Sequence, residues 1–261
     1  MSQPNSIFDK LSRHEIRSAT LGMCLGDCNL QMRAKNARMQ FAHSPKVEGY
    51  VGIKVKVINQ IPGVKLKYKH VLHNDPRVNK QYPTIRGWTN THPYFTKMRK
   101  KLYNPIKKVT KRALNSITPI GLAFWYMDDG HLSLKHNAIR SNADLNKSPQ
   151  ERSISSRTII LNTQGFSKKE NQLICKWLLQ KWKIESRVKS DKNKYWKLFI
   201  NTSNSRKFVD IIRPYVIEIP CMHYKIDFKY VKDNPNLLKY NVYHEEMARA
   251  PDTLQKGDDI V

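Results

Sequence analysis

Apolar positions along this 261-residue chain gather into two runs that end alike. The first, Ile16 to Leu25, stops at Asp27; the second, Ile120 to Met127, stops at the adjacent acids Asp128 and Asp129. Each has the length and make-up of a buried helix. Gly22 and Gly26 stand four residues apart, on one helix face, where a second helix could come close through its Ala123 side. The segments after the two runs are parallel as well. After Asp27 an extended segment ends at Phe41-Ala42-His43, and Ser44-Pro45 supplies an N-cap with proline in the first turn. Residues 45–59 are expected to be helical, although Lys54–Ile58 also alternates like a strand. After Asp129 a polar stretch over residues 131–155 has the composition of a surface loop. A strand-like run, Arg157–Gln164, then leads to Ser167–Glu170, a capping box opening a helix through Leu173, Ile174, Trp177 and Leu178.

Strand-like alternation returns in both copies, at Lys65–Lys69 in the first and at Arg187–Lys189 and Trp196–Ile200 in the second. A period of two puts the cations on one face. A closing helix is expected near His92–Tyr103 and again near Ser205–Tyr215. Acid-tipped helix, strands, helix, strands, helix therefore occurs twice, which marks an internal duplication.

Composition narrows the partners. Lys plus Arg number 47 against 21 Asp plus Glu, a formal net charge of +26. An enzyme of small metabolites rarely carries that excess, whereas polyanions suit it because each neutralised phosphate releases condensed counterions. A membrane surface fits less well, since the cations are spread along the chain rather than gathered beside an apolar helix. No apolar run approaches the ~20 residues a bilayer crossing needs. The start, MSQPNSIFDKLSRHE, lacks the order of a signal peptide and is not rich enough in Arg and Ser for a transit peptide. Cys24 and Cys28 lie one helical turn apart, but no second pair completes a zinc site, so they and Cys175 and Cys221 are expected as reduced thiols.

The chemistry comes from the acids. If the two helices pack side by side, Asp27 and Asp129 meet, and two such carboxylates repel unless a proton or a cation sits between them. Oxygen ligands with room for water and phosphate suit Mg²⁺, which can polarise phosphoryl oxygens and activate water. Basic strands beside them would hold phosphates and bases. Together these parts amount to a nuclease.

"LAFWYMDDG" (122–130) and "TLGMCLGDC" (20–28) resemble the two copies of the LAGLIDADG motif in homing endonucleases, closest to the single-chain, intron-encoded type. "ITPIGLAFWYMDDG" (117–130), "IILNTQGFS" (159–167) and "CMHYKIDF" (221–228) extend the resemblance, which covers roughly residues 11 to 230. It implies an α+β fold: a pseudo-twofold pair of αββαββα subdomains, at residues 1–116 and 117–240, with a tail at 241–261. Two antiparallel sheets would form a DNA-binding saddle around the two central motif helices. It also implies a monomeric, site-specific double-strand DNA endonuclease with a long asymmetric target, using Mg²⁺ or Mn²⁺, in a mitochondrion or chloroplast.

The family's eighth motif position binds metal, which implicates Asp27 and Asp129, with Asp128 at the seventh a neighbour. Catalytic lysines near the acids map to Lys225 and to Lys108, with Lys107 the alternative. Two departures are Cys28, where glycine closes the motif, and Phe124, where a small residue aids helix packing. The expected nucleic-acid contacts are Arg33, Lys35, Arg38, Gln40, Lys65, Lys67 and Lys69, then Arg157, Asn162, Gln164, Arg187, Lys189 and Lys197. The alternative on the same fold is an RNA maturase that assists splicing of intron RNA. Intact Asp27 and Asp129 favour cleavage, since a pure binder has no need of paired acids.

Overall fold

A computed structural model describes residues 6–76, 79–136, 154–192 and 194–228, so the expected tail lies outside the described residues, as does most of the expected loop. The first copy of the repeat is α1 (Arg13–Leu25), β1 (Asn29–Arg33), β2 (Asn36–His43), α2 (Glu48–Ile58), β3 (Leu66–Asp75), β4 (Lys80–Thr89) and α3 (Pro93–Leu102). A short helix, α4 (Lys111–Asn115), precedes the second copy. That copy is α5 (Pro119–Asp129), β5 (Gly130–His136), β6 (Ile154–Leu161), α6 (Lys168–Trp182), β7 (Arg187–Asp191), β8 (Tyr195–Ile200) and α7 (Thr202–Val216). Each copy builds one antiparallel four-stranded sheet, ordered β1-β2-β4-β3 and β5-β6-β8-β7.

Local signals start these elements. Ser12 and Ser167 each accept from the backbone N–H three residues on, while Glu15 and Glu170 reach back to the cap N–H, so α1 and α6 both open with capping boxes. Ser44 caps the 3-10 turn Pro45–Val47 that runs into α2. The extended segment after Asp27 is a hairpin, reversing at Ala34 with φ 43°. The expected surface loop begins later than its composition suggests. Gly130–Lys135 pairs residue for residue with Leu161–Ser156, and those backbone bonds outweigh the polar side chains.

The two motif helices cross at glycines. A Cβ on Gly22 would lie 1.9 Å from the Gly121 carbonyl oxygen, and one on Gly121 would lie 2.3 Å from Ser18 Oγ. Ser18 Oγ in turn accepts from the Thr118 N–H at 2.8 Å. The seam therefore runs through Gly22 and Gly121 rather than through the Ala123 side. Gly26 faces Asp128 instead, with room for no Cβ: one would sit 2.5 Å from the Asp128 Cβ. Phe124, where the motif has a small residue, is buried, stacking on Tyr50 (5.9 Å, 26°) and edge-on to Phe8 (5.9 Å).

A continuous core surrounds the crossing. Ala37, Met39, Phe41 and Ile85 from one sheet and Ile159, Leu161, Leu198 and Ile200 from the other are buried against it. Each fully buried Met, Phe, Ile or Leu side chain contributes about 1.5–3 kcal/mol. All four cysteines are free thiols, with Cys24 and Cys28 buried, as expected. Among the described residues no helix is long and apolar enough to cross a membrane.

Candidate active site

The helix crossing brings the acids together. Asp27 comes just after the last turn of α1, with its side chain 41% exposed, and Asp129 ends α5 half-buried. Burial first, then the charge of Asp128, push the Asp27 carboxyl up to about 6, against the pull of Lys54, Lys225 and Lys107. Burial, then Asp27, then Asp128, push Asp129 up to about 7. Asp27 thus raises Asp129 and Asp128 raises both, and carboxyls crowded in this way leave a place that a proton or a cation completes. Trp125, one turn before Asp129, lowers the latter slightly; its indole N–H is buried with no partner at hydrogen-bonding geometry.

Asp128 does something else. Its side chain is fully buried, and its Oδ1 accepts from Lys54 Nζ at 2.7 Å and from the Tyr50 hydroxyl at 2.8 Å. Its Oδ2 accepts from the Asp27 backbone N–H at 3.2 Å. Lys54 is equally buried, donates to His43 Nε2 at 2.8 Å, and lies over the rings of Tyr50 (4.6 Å) and Phe41 (5.0 Å). Burial works against its charge, but Asp128 and the neighbouring groups outweigh burial and the net shift is upward. Burial, then Lys54, hold His43 far below the usual histidine range, at about 3, so the ring is neutral.

Asp27, His43 and Asp128 place ligand atoms within 4.8 Å of one another, the spacing of a metal site. The Lys54 ammonium already sits on two of the three, at Asp128 Oδ1 and His43 Nε2. It is the resident cation there. Asp129 stands outside this group, and the buried Lys225 feels the charge of both Asp27 and Asp129.

Two lysines hold the ends of the motif helices. Lys107 Nζ donates to the carbonyls of Cys24 (3.0 Å) and Gly26 (2.9 Å) at the end of α1. Lys225 Nζ, at the end of the 3-10 segment Pro220–Lys225, donates to the carbonyls of Met127 and Gly130 (2.9 Å) at the end of α5. A cation there meets both the unpaired carbonyls and the negative end of the helix dipole. Lys225 and Lys107 thus occupy matching places at the ends of the two motif helices, and Lys108 does not. Tyr103 and Lys107 form an isolated bridge that turns Lys107 inward, and Lys108 faces solvent.

Strand register sorts the expected contacts. Cross-strand partners Gln31–Arg38, Gln40–Trp88–Lys67 and Arg86–Lys69 share the face of the first sheet opposite Ala37, Met39 and Ile85. Arg33 Nε and Arg38 Nε both donate to Gln31 Oε1, at 3.1 and 3.2 Å. Lys35 is exposed in the β1–β2 turn and Lys65 just ahead of β3. Arg86 and Trp88 were not anticipated, because Pro83 and Gly87 interrupt the alternation of β4.

On the second sheet Arg187, Lys189 and Lys197 share a face with Phe199, whose ring lies 3.7 Å from Lys189 Nζ. Asp191 accepts from Lys197 Nζ at 3.1 Å and from Gln164 Nε2 at 3.3 Å, so both expected contacts are pre-positioned by an acid. The Asn162 N–H donates to the Asp129 carbonyl at 2.9 Å, which ties the end of β6 to α5. Arg157 is a correction. It alternates with Ile159 and Leu161 on the opposite face, and its Nε donates to the Phe228 carbonyl at 3.0 Å.

Lys54, Tyr50 and His43 were also missed as site residues. A signal existed: Tyr50, Val51, Lys54, Val57 and Ile58 form one buried helical stripe, and a lysine inside such a stripe calls for a buried acid.

Paired acids at the tips of two crossed helices, flanked by two basic antiparallel sheets, make a duplicated architecture of the class that suits a polyanionic partner. Residues 17–208 match the LAGLIDADG DNA endonuclease family. A probable intron-encoded DNA endonuclease of Mycosarcoma maydis is 33% identical over 147 residues, 54% of this chain and 91% of its own length. A probable intron-encoded endonuclease of Wickerhamomyces canadensis is 29% identical over 220 residues, 82% of this chain and 85% of its own. Among solved structures, the homing endonuclease I-WcaI bound to its DNA recognition sequence is similar with a TM-score of 0.67 and 25% identity, over 87% of this chain and 95% of that one. This chain belongs to the LAGLIDADG DNA endonuclease family.

Proposed function

We propose that the protein is a site-specific double-strand DNA endonuclease, acting as a monomer of two subdomains (residues 1–116 and 117–240) on a long asymmetric target. The observation that carries this reading is the gathering of acids at the junction of the two copies, where Asp27 raises the Asp129 carboxyl and Asp128 raises both. A divalent cation held by these two acids, Mg²⁺ or Mn²⁺, would polarise a phosphoryl oxygen and ease deprotonation of water.

The chain supplies the rest. Lys107 and Lys225 keep positive charge at the tips of the motif helices, where charge develops on a phosphate. Arg38, Lys67, Arg86, Arg187 and Lys189 line the open sheet faces and hold the phosphate backbone in register, with Gln40 and Trp88 offering contacts to bases. The relatives' naming as intron-encoded supports an organellar setting, a mitochondrion or chloroplast.

Incubating the protein with a randomised duplex library and Mg²⁺, then sequencing the cut ends, tests the reading. One defined site with cuts on both strands supports it. Tight binding of duplex or intron RNA with no cutting overturns it in favour of the maturase.

A further inference from the structure

We infer that His43 is a positioning residue for Asp27, held in its Nδ1–H tautomer by the buried Lys54, and that Asp129 has no histidine in the corresponding place. The first step is donor counting. A lysine ammonium has only protons to offer, and Lys54 Nζ stands 2.8 Å from His43 Nε2. That nitrogen must therefore present its lone pair, which leaves the ring proton on Nδ1. Nδ1 faces Asp27 Oδ2 at 3.6 Å, just beyond direct bonding distance. The Asp27 side chain is 41% exposed, so a small rotation closes the gap while the imidazole, 8% exposed, stays fixed. One carboxylate oxygen is then held by His43 and the other is left to a cation, the arrangement that orients metal-binding carboxylates.

Lys54 cannot drift, because Asp128 from the second copy grips it at 2.7 Å and Tyr50 braces that acid. The run Asp128–Lys54–His43–Asp27 thus crosses between the two copies. The other acid has no such histidine–lysine run among the described residues; the donor that acts on it is the Trp125 indole N–H, one turn back on its own helix. Register pairs Asn29 with Gln40 in the first sheet and His131 with Ile160 in the second, which places Thr163 where His43 stands. Thr163 is buried and gives its hydroxyl to Asn171 Oδ1.

On the endonuclease reading, two strands related by a twofold axis meet two copies related by a pseudo-twofold, so each strand is served chiefly by one acid. Unequal support means unequal dependence on His43.

Two measurements on the full chain test this. In the metal-free protein with ¹⁵N-labelled histidine, the His43 ring, picked out among nine histidines by its loss in His43→Asn, should show a protonated Nδ1 and an unprotonated Nε2. Lys54→Met should abolish that preference. A wild-type ring protonated at Nε2 overturns the inference, whether or not the protein cuts DNA. On a duplex with each strand separately labelled, His43→Leu should slow one strand about 10–100-fold more than the other. His43→Asn, whose amide nitrogen stands where Nδ1 did, should lose less. Equal slowing of both strands, or none, overturns it. If the wild type cuts nothing, the endonuclease reading falls and the tautomer measurement still decides the His43 assignment.

Discussion

Lys54 Nζ and Asp128 Oδ1 lie 2.7 Å apart with both side chains fully buried, and they come from different copies of the repeat. The pair explains the asymmetry of the two motifs. Asp128 needs the space above Gly26, so the seventh motif position is an acid in one copy and a glycine in the other.

Removing one partner should therefore be costly. Lys54→Met leaves Asp128 buried without its cation, and Asp128→Asn leaves Lys54 buried without its anion. Each should lose about 3–5 kcal/mol in urea unfolding at neutral pH. The double variant Lys54→Met/Asp128→Leu should lose clearly less than the two single losses added together. A single-variant loss below about 1 kcal/mol, the range of a surface pair, would contradict a structural role for it.

Metal and pH should be linked through the other two acids. Asp27 and Asp129 are raised from an ordinary 3.8 to about 6 and about 7, so between these values the folded state binds more protons than the unfolded one. Their contribution to stability is then greatest at the acid end of that window, and it falls as pH rises through the folded pKa values. A divalent cation takes the protons' place, so its binding should strengthen with pH and release protons. Melting curves from about pH 5 to about pH 8, with chelator and with Mg²⁺, read both effects, with Asp27→Asn/Asp129→Asn as the reference that cancels all other titrations. In chelator the wild type should lose stability relative to the reference as pH rises, and the Mg²⁺ stabilisation should grow. A Mg²⁺ shift that is largest at the acid end would contradict the assignment.

Much of this architecture was legible in the chain, and the failures have physical causes. Runs that end at acids, the boxes at Ser12 and Ser167, and the cations of Lys65–Lys69 are local signals, and each led to a real helix or strand. β4 was hidden because Pro83 and Gly87 break its alternation; a Cβ on Gly87 would meet the Phe41 ring at 2.3 Å. The β1–β2 turn was hidden because it reverses on alanine rather than glycine. Choosing between Lys107 and Lys108 depended on which way a bridge turns, and the face of Arg157 depended on register. Lys54 was not singled out as a site residue, because its partner is 74 positions away. Local periodicity reports one element at a time, and the centre of this site is made where two copies meet.

Salt dependence should separate real phosphate contacts from bystanders. Each phosphate contact contributes ~0.9 to the slope of log affinity against log salt. Lys67→Ala and Lys69→Ala, from the open face of the first sheet, should each reduce the slope by ~1. Arg157→Ala should leave it unchanged, because that side chain turns to the Phe228 carbonyl. Filter binding across a salt series reads all three, and a slope lowered by Arg157→Ala would contradict the face assigned to it.

The central claim is that Asp27 and Asp129 form the cation site that drives cleavage, while the sheets do the binding. Its most direct test is Asp129→Asn, with strand cutting and bound fraction measured side by side on one duplex carrying the target. The substitution keeps the shape of α5 and removes one charge from the site. Cutting should fall by orders of magnitude, and binding without metal should hold or tighten, because a carboxylate facing phosphate is repulsive. Wild-type cutting by Asp129→Asn, at equal bound fraction, would contradict the account.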